Sequence, residues 1–329
     1  MTSIRDVAAE AGVAISTVSK VLNHYPNVSD ETKKRVEDAV TKLHFVPNAV
    51  AAALSSKHAA RVALIINPGD ESGIMNEINM QYLTGGLQSA RTLGLDVVTL
   101  FSTMTDHQPL EEAISYLRTQ SISGLVIFNL NRNQPTLQSL AEHGDFKTVV
   151  VDAPFINEST SSISIDNKAA QKDVAEHVIT GIKAKTILYI TGSEDGYVTS
   201  ERLEGIKEFA EEKKIKLIIK DGQFSQKTAR QITEEYAEKS DAIVCASDMM
   251  AIGSMRKLME MDIFRPVCGF DGISLMGYAG KQMFTVRQDF YHIAFKAVSE
   301  VSRLMNGGTG IKISMPYEIV RMTYEDVIR

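Results

Sequence analysis

From Arg61 onward, short apolar segments alternate with longer amphipathic ones, and this alternation limits the possible folds more than any other feature of the chain. The apolar segments are rich in Val and Ile, which predicts strands buried on both faces. Because helical segments separate them, successive strands are expected to run parallel, each joined to the next through a helix. The strands form a first series of VALII, DVVTLF, GLVIF and TVVVD and a second series of SISID, TILYIT, KLIIK, AIVCAS and PVCGF. Two series predict an α/β core of two doubly wound lobes.

The two lobes are expected to exchange segments near the end of the chain. Close to Thr285–Asp289 the chain should return to the first lobe, where a helix from Phe290 to Asn306 packs. The first lobe then comprises about 61–161 and 289–315, and the second about 162–288 and 316–329.

Two short amphipathic helices around a glycine precede this core, within Ser3–Asn23. Val7 lies on the apolar face of the first helix and Val18 on that of the second, and Gly12 allows the tight turn between them. This arrangement is typical of a helix-turn-helix DNA reader, although an ordinary helical hairpin has the same periodicity. The second helix turns outward short polar or cationic side chains that suit base edges and phosphates. They are Ser16, Thr17, Ser19, Lys20 and Asn23.

A third helix and an alanine-rich segment complete the N-terminal region. Ser29 is expected to cap the third helix, and residues 1–47 are predicted to form an all-α headpiece. Asn48 is expected to cap the run AVAAALSSK, which is too short to be a stable helix alone in water. Residues 48–60 are therefore predicted to be a hinge that orders only against DNA and a second copy of the chain, with a flexible linker as the alternative.

Read in order, the segments DVAAEAGV, TVSKVLN, VSDET, VPNAVAAAL and SSK resemble the headpiece and hinge of the lactose-repressor (LacI/GalR) family. The resemblance implies a homodimeric repressor that reads a pseudo-palindromic operator in double-stranded DNA, with a core similar to periplasmic sugar-binding proteins.

Two residues depart from the family. Ala14 stands where serine is usual, which removes a helix N-cap worth about 0.5–2 kcal/mol. Lys20 replaces arginine and lacks the planar fork that binds guanine through two hydrogen bonds.

The resemblance also implies how the hinge contacts DNA. Leu54 corresponds to an apolar wedge that enters a base step from the minor groove, and the small Ala51 allows close approach. The complete predicted DNA-binding set is Ile15, Ser16, Thr17, Ser19, Lys20, Asn23, Ser29, Asn48, Ala51 and Leu54.

Polar side chains at the strand ends of the core predict a ligand site, because open α/β sheets bind ligands beyond the carboxyl ends of their strands. Facing lobes would bring together Asn129, Asp152, Asp248 and Asp271. By the resemblance, the pocket for a small-molecule effector is lined by Arg202, Asp248, Asp271 and Gln288. Phe224 is a further candidate, as an aromatic platform for a sugar face.

Each of these side chains also has a structural interpretation. Asp248 could serve only to cap the helix that follows it. Arg202 could form an ion pair with a neighbouring glutamate, and Asp271 could stabilise a turn. As ligands, the carboxylates and the guanidinium suit vicinal hydroxyls, whereas Arg202 alone suits a phosphate or carboxylate. A sugar, a sugar phosphate and a related metabolite are therefore all open as effectors.

The net charge of −6 belongs to the core and not to the headpiece. Residues 1–60 contain seven Lys or Arg against six Asp or Glu, and the remaining chain has a net charge of −7. DNA affinity is therefore expected to depend on dimerisation and hinge ordering as well as on charge.

The sequence contains no phosphate loop, nucleophile elbow or metal-ligand spacing, so no enzymatic activity, cofactor or metal is expected. Cys245 and Cys268 lie in apolar strands and are predicted to be buried, reduced thiols. The chain has neither a transmembrane run nor an export signal, which predicts a cytoplasmic protein that does not contact a membrane.

Two alternative functions stay open: a regulator controlled by a protein co-repressor such as a phosphorylated phosphocarrier, and, more remotely, a solute-binding protein without a regulatory role.

Overall fold

The computed structural model describes residues 3–22, 28–43, 45, 60–67, 77–105 and 108–323. Contacts within the chain divide it into two compact units, Met1–Ala59 and Ala60–Arg329. Among the described residues, no helix is long and apolar enough to cross a membrane, and no cluster of three or more His, Cys, Asp or Glu side chains is arranged to hold a metal ion.

The first unit contains three helices around a small apolar core. They are α1 (Ile4–Ala11), α2 (Ile15–Leu22) and α3 (Asp30–Lys42). Each helix contributes one fully buried valine, namely Val7, Val18 and Val36. These valines lie on the faces that the periodicity predicts, so the helical spacing of the sequence is what closes this bundle.

The second unit alternates strands and helices throughout. In chain order its elements are β1 (Arg61–Ile66), α4 (Glu77–Leu93), β2 (Asp96–Phe101), α5 (Leu110–Thr119), β3 (Ile122–Phe128), α6 (Pro135–His143), β4 (Lys147–Val151), β5 (Thr160–Ser164), α7 (Asn167–Ile179), β6 (Thr186–Thr191), α8 (Tyr197–Lys213), β7 (Lys216–Asp221), α9 (Gln226–Tyr236), β8 (Ala242–Cys245), α10 (Asp248–Glu260), β9 (Val267–Cys268), β10 (Met283–Gln288), α11 (Phe290–Met305), β11 (Lys312–Ser314) and β12 (Tyr317–Met322). Short 3-10 helices occupy Ser102–Met104, Ala237–Lys239 and Ser274–Tyr278.

The first lobe is built on a parallel sheet of order β11-β5-β4-β3-β1-β2. Alternate residues of β1 explain why both faces of this sheet are covered. Leu64 packs in the cluster that contains residues of α4 and α11, whereas Ile65 packs in the cluster that contains residues of α5 and α6. The α4 and α11 helices approach closely at Gly85, where an added Cβ would lie 2.0 Å from the Tyr291 carbonyl oxygen.

The second lobe is built on a sheet of order β12-β10-β9-β8-β6-β7, in which only the β10–β12 pair is antiparallel. Its largest fully buried side chains are aromatic: Tyr189, Phe209 and Phe270. Cys245 and Cys268 are free and buried in this core, and burial raises the pKa of the Cys245 thiol to about 12. The thiol is therefore protonated at neutral pH.

The chain crosses between the lobes three times, after β5, after β10 and after β11. The first crossing corrects our expectation from the sequence, which placed SISID at the start of the second lobe. Thr160–Ser164 instead pairs in parallel with β4 and belongs entirely to the first sheet. The connection from β4 to β5 contains no helix, and this missing helix made the segment look like the beginning of a new lobe.

Candidate functional site

The helix-turn-helix of the first unit is shaped by hydrogen bonds at the helix ends. Ser3 and Asp6 form a reciprocal capping box at the start of α1, and Gly12 ends that helix in the left-handed conformation with a φ of 62°. The Arg35 guanidinium donates hydrogen bonds to the carbonyl oxygens of Ala11 and Gly12. Arg35 thereby ties α3 to the end of α1.

The predicted DNA-contacting side chains of α2 share a solvent-facing surface. Ser16 and Lys20 are exposed, Thr17 and Ser19 are half-buried, and Ile15 is 45% exposed. Ser29 has a structural role as the N-cap of α3, where its hydroxyl accepts a hydrogen bond from the Thr32 amide. Four predicted DNA contacts, Asn23, Asn48, Ala51 and Leu54, lie outside the described residues.

Ala14→Ser is expected to stabilise α2 by about 1 kcal/mol. The Ala14 carbonyl accepts hydrogen bonds from the amides of Thr17 and Val18, at 2.9 and 3.1 Å, so residue 14 occupies the N-cap position without a side-chain acceptor. Hydrogen exchange of the α2 amides in the full-length protein measures the gain, which corresponds to about fivefold greater protection. Ala14→Val adds no acceptor and is the control, so equal protection in the two variants would contradict the capping argument.

In the second unit, Arg202 of α8 lies buried among polar groups at the strand ends of the second lobe, with 4% of its surface exposed. Its Nε donates a hydrogen bond to Asn167 Oδ1 at 2.9 Å, and its Nη1 donates one to the Ala246 carbonyl at 2.6 Å. Nη1 also lies 3.6 Å from Asp271 Oδ1, and the guanidinium lies 3.6 Å from the centroid of the Phe270 ring. Arg202 is thus bound on one edge and on one face by its own lobe.

The glutamate pairing that we considered for Arg202 does not describe this geometry. Glu204 forms an ion pair with Lys168 at 2.9 Å on the exposed side of α8. The charged partner of Arg202 is Asp271, which follows β9.

Asp248 is buried completely and holds the loop after β9. Its Oδ2 accepts hydrogen bonds from the amides of Gly272 and Ile273 at 2.7 and 2.8 Å, and its Oδ1 accepts one from the Thr285 hydroxyl at 2.6 Å. The helix cap that we considered for Asp248 is instead Ser247, whose side chain caps α10. Asp248 therefore acts on the site by positioning the loop that carries Asp271.

Asp271 and Gln288 face each other across the ends of β9 and β10. Gln288 Nε2 donates a long hydrogen bond of 3.4 Å to Asp271 Oδ1, while Gln288 Oε1 is buried without a hydrogen-bond partner in the described structure. Burial raises the pKa of Asp271 well above its usual range; the positive charge of Arg202 opposes this shift, and the negative charge of Asp248 adds to it.

The first lobe contributes Tyr82 and Asp152 to the same region. Tyr82 is fully buried and stacks on Phe128 with ring centroids 4.4 Å apart. The Tyr82 hydroxyl and Asp152 Oδ1 are buried and form no hydrogen bond of ordinary length among the described residues, although the Tyr82 and Asp152 side chains lie close enough to shift each other's pKa. The pKa of Tyr82 is raised by burial and then by the charges of Asp152 and of Asp271 from the opposite lobe, which places all three groups at one seam. Burial also raises the pKa of Asp152 to about 6.

We call this region, formed by Tyr82, Asp152, Arg202, Asp271 and Gln288, the seam cluster. Tyr82 was not predicted from the sequence, because it lies inside α4 and carries no local signal of a binding role. Asn167, which orients Arg202 and is the first residue of α7, was not predicted either.

Two predicted effector residues are not joined to the seam cluster by any contact in the described part of the chain. Phe224, at a φ of 56°, packs its ring against Gly192, where an added Cβ would lie 2.0 Å from the ring. Asn129, at a φ of 54°, accepts a hydrogen bond of 3.5 Å at its carbonyl from the Asn67 side chain. The contacts of Phe224 thus give it a packing role.

The lobes also contact each other at two places, which we call the rim contacts. Arg132 of the first lobe donates a hydrogen bond of 2.9 Å to the Gly196 carbonyl and lies 4.4 Å over the Tyr197 ring of the second. Elsewhere, the Ser274 amide and hydroxyl each donate a hydrogen bond of 2.9 Å to the Glu77 carboxylate. The rim contacts therefore join the two lobes directly.

Two family models match the chain. Residues 3–48 match the model described as bacterial regulatory proteins, lacI family. Residues 76–309 match the periplasmic binding protein domain.

Similar proteins of known role span nearly the whole chain. Catabolite control protein A of Staphylococcus xylosus is 26% identical over 312 residues, which cover 92% of this chain and 92% of that protein. The ribose operon repressor of Halalkalibacterium halodurans is 28% identical over 300 residues, which cover 89% of this chain and 87% of that protein.

Solved structures share the fold. The lac repressor dimer bound to operator and the anti-inducer ONPF superposes with a TM-score of 0.83 at 24% identity and covers 98% of each chain. The complex of the transcriptional regulator CelR with cellobiose superposes with a TM-score of 0.70 at 23% identity, covering 98% of this chain and 100% of that one.

Proposed function

Because the chain belongs to the lacI family of bacterial regulatory proteins, we propose that it binds a pseudo-palindromic operator as a homodimer and represses transcription under the control of a small molecule held between its lobes. It is a DNA-binding transcription regulator and not an enzyme. We place its action in the cytoplasm, where its target DNA is accessible.

The observation that carries the effector proposal is the seam cluster. It brings a guanidinium and two carboxyl groups together with buried polar atoms that lack partners, and such atoms are rare in a folded protein unless a ligand or water binds them. Side chains from both lobes contribute, so a molecule bound there contacts both at once. We propose Asp152, Arg202, Asp271 and Gln288 as the effector-contacting residues, with Asn129 and Phe224 as further candidates.

We propose that three consecutive segments of the chain have separate functions. Residues 1–47 are the DNA-reading headpiece, residues 48–60 the hinge, and residues 61–329 the effector-binding and dimerising core. Ser16, Thr17, Ser19 and Lys20 of α2 are proposed to meet the major groove.

Control of DNA binding requires that the effector distinguish two arrangements of the lobes. A ligand that binds one arrangement more tightly shifts the equilibrium toward that arrangement. At saturation, the equilibrium constant between the two arrangements changes by the ratio of the ligand's affinities for them. The rim contacts join the two lobes in the described arrangement, and we propose that they contribute to this equilibrium. Whether closure favours or disfavours operator binding decides between co-repression and induction.

Leu54→Ala tests the DNA-binding part of the proposal. On an operator selected from random duplexes, we expect the full-length variant to bind about 10- to 100-fold more weakly than the parent protein, or about 1.4–2.8 kcal/mol. Affinity for non-specific DNA should change little, because only specific binding unstacks the central base step. Leu54→Met retains an apolar wedge and is the control. Equal losses on both DNAs would argue against the wedge role.

A protein co-repressor is the alternative signal, and the similarity to catabolite control protein A favours considering it. In that case operator affinity should respond to a phosphorylated phosphocarrier protein and not to small molecules. Titrating operator binding with each kind of signal separates the two proposals.

A further inference from the structure

A cavity separate from the seam cluster lies beside α8, within the second lobe. Its volume is about 440 Å³, inside the range of about 300–1,000 Å³ that is usual for small-molecule sites. It is lined by the carboxyl ends of β6 and β7 and by the N-terminal part of α8. Leu203 and Lys207 of this lining are turned by about 100° or more around the helix axis from Arg202. We call this space the α8 cavity.

The buried polar group of the α8 cavity is Thr199. This residue is 4% exposed and lines the cavity, and its hydroxyl has no hydrogen-bond partner in the described structure. Thr191 also lines the cavity and is buried, and its hydroxyl donates a hydrogen bond of 3.2 Å to the carbonyl of the next residue. Buried hydroxyls without partners are rare in folded proteins unless a ligand or water binds them. The Thr199 hydroxyl therefore marks the cavity as a place where a ligand can bind.

The start of α8 favours a negatively charged group at the same place. No side chain caps this helix at Gly196, and the first amides of a helix have no acceptor within the helix. Thr199 and Ser200, which line the cavity, belong to the first turn. Carboxylate and phosphate groups bind readily to such helix ends.

The charged side chains of the cavity are of both signs. Glu194, Lys207 and Asp221 line it, and none of them forms an ion pair with another described residue. The remaining charged group, Glu204, is paired with Lys168 at 2.9 Å. A ligand with only a positive charge leaves Lys207 and the helix start unmatched, whereas a ligand with only a negative charge meets two free carboxylates. A ligand that carries one charge of each sign matches both sets of groups.

We propose that the α8 cavity binds a free amino acid with an aliphatic side chain. The carboxylate of the amino acid accepts hydrogen bonds from the Thr199 and Ser200 hydroxyls and pairs with Lys207. Its ammonium group pairs with the carboxylates that line the cavity, Glu194 and Asp221. Its side chain packs against Leu203. This site is additional to the proposed effector site and does not depend on what binds the seam cluster.

The position of the α8 cavity brings its ligand next to the rim contacts. One wall of the cavity belongs to the segment between β6 and α8, which includes Glu194 and Gly196. The Arg132 guanidinium of the first lobe donates hydrogen bonds to the carbonyl oxygens of these two residues, at 3.4 and 2.9 Å. An amino acid that pairs with the Glu194 carboxylate therefore holds a segment that the first lobe also contacts.

Calorimetric titration of the full-length protein with leucine, isoleucine, valine and methionine tests this proposal. Each amino acid is compared with the amine that lacks its carboxylate and with the acid that lacks its ammonium group. For leucine these are 3-methylbutylamine and 4-methylpentanoate. We expect at least one amino acid to bind, and both of its counterparts to bind at least about tenfold more weakly.

Substitutions locate the binding. Thr199→Val and Asp221→Asn should each weaken the amino acid by at least about tenfold. Glu211→Gln, at an exposed carboxylate of α8 that does not line the cavity, should leave its affinity unchanged. Because the Thr199 hydroxyl is buried without a partner, Thr199→Val should not lower the Tm of the ligand-free protein. Weaker binding by this variant is then not a result of unfolding.

Three results would overturn the inference. The first is an amine or acid that binds as tightly as its amino acid, which excludes recognition of both charges. The second is amino acid binding that Asp271→Asn abolishes and Thr199→Val leaves unchanged, which places the ligand in the seam cluster. The third is a protein that binds its operator but none of the amino acids, and in that case the proposed regulatory function stands without this site.

Discussion

Replacing Arg202 with methionine is expected to lower the free energy of unfolding of the two-lobed unit by about 3–5 kcal/mol and to abolish the response of operator binding to the effector. Methionine fills much of the same space but removes the charge that opposes the burial of Asp152, Asp248 and Asp271. It also leaves the Asn167 amide oxygen without the Arg202 Nε donor.

The stability loss in this variant should increase with pH. A buried carboxyl group with a raised pKa binds more protons in the folded state than in the unfolded state, so its contribution to stability falls as pH rises above the unfolded value of about 4. Without Arg202 the folded-state pKa values rise further, and the destabilisation should be greater at pH 8 than at pH 5. Urea denaturation at both pH values measures this difference.

Lys168→Met provides the matched control for Arg202→Met. Lys168 pairs with Glu204 and Glu208 on the surface of the same lobe, and exposed ion pairs of this kind contribute little to stability. If the Arg202 and Lys168 variants lose equal stability, Arg202 does not compensate the buried carboxyl groups.

Asp248→Ala is expected to cost about 2–4 kcal/mol, because it leaves several buried hydrogen-bond donors unpaired at about 1–3 kcal/mol each, partly offset by relief of a buried charge. The donors are the amides of Gly272 and Ile273 and the Thr285 hydroxyl. The variant should also lose most of its effector affinity, since the loop that carries Asp271 is no longer held. Urea denaturation and effector titration of the full-length protein measure the two effects.

Asp166→Ala provides the comparison for Asp248→Ala. Asp166 is an exposed helix cap that accepts a hydrogen bond of 2.9 Å from the Ala169 amide, and its loss should cost only about 0.5–2 kcal/mol. Effector affinity that survives in the Asp248 variant would show that the loop after β9 keeps its shape without this anchor.

The sequence was sufficient for the parts of the site that depend on strand ends. Parallel strands place the residues that follow them at one edge of a sheet, so Asp152 and Asp271 could be predicted to meet. Arg202 could be predicted only from the family resemblance, because its pairing with Asp271 depends on how α8 packs against the strands. Tyr82 was missed for the same reason, since a buried tyrosine inside a helix resembles any other core residue.

Local rules failed where two residues compete for one role. Ser247 and Asp248 both suit the start of α10, and the serine takes the cap while the carboxylate turns into the lobe to hold a loop distant in sequence. Similarly, the alternation of strands and helices predicted that SISID belongs to the second lobe. This prediction was wrong because β4 and β5 are joined without a helix. Both outcomes are decided by long-range contacts that spacing does not encode.

The three crossings between the lobes have a consequence for how the protein is made. The face of the first sheet that contains Leu64 and Val126 is covered in part by α11, which is synthesised after the whole of β6 to β10. On the ribosome, the second lobe can therefore assemble on its own segments, apart from β12, while the first lobe exposes an apolar face until residue 305 has emerged. A chain that ends before α11 would leave that face uncovered and prone to aggregation, although it already contains every residue of the DNA-reading helices.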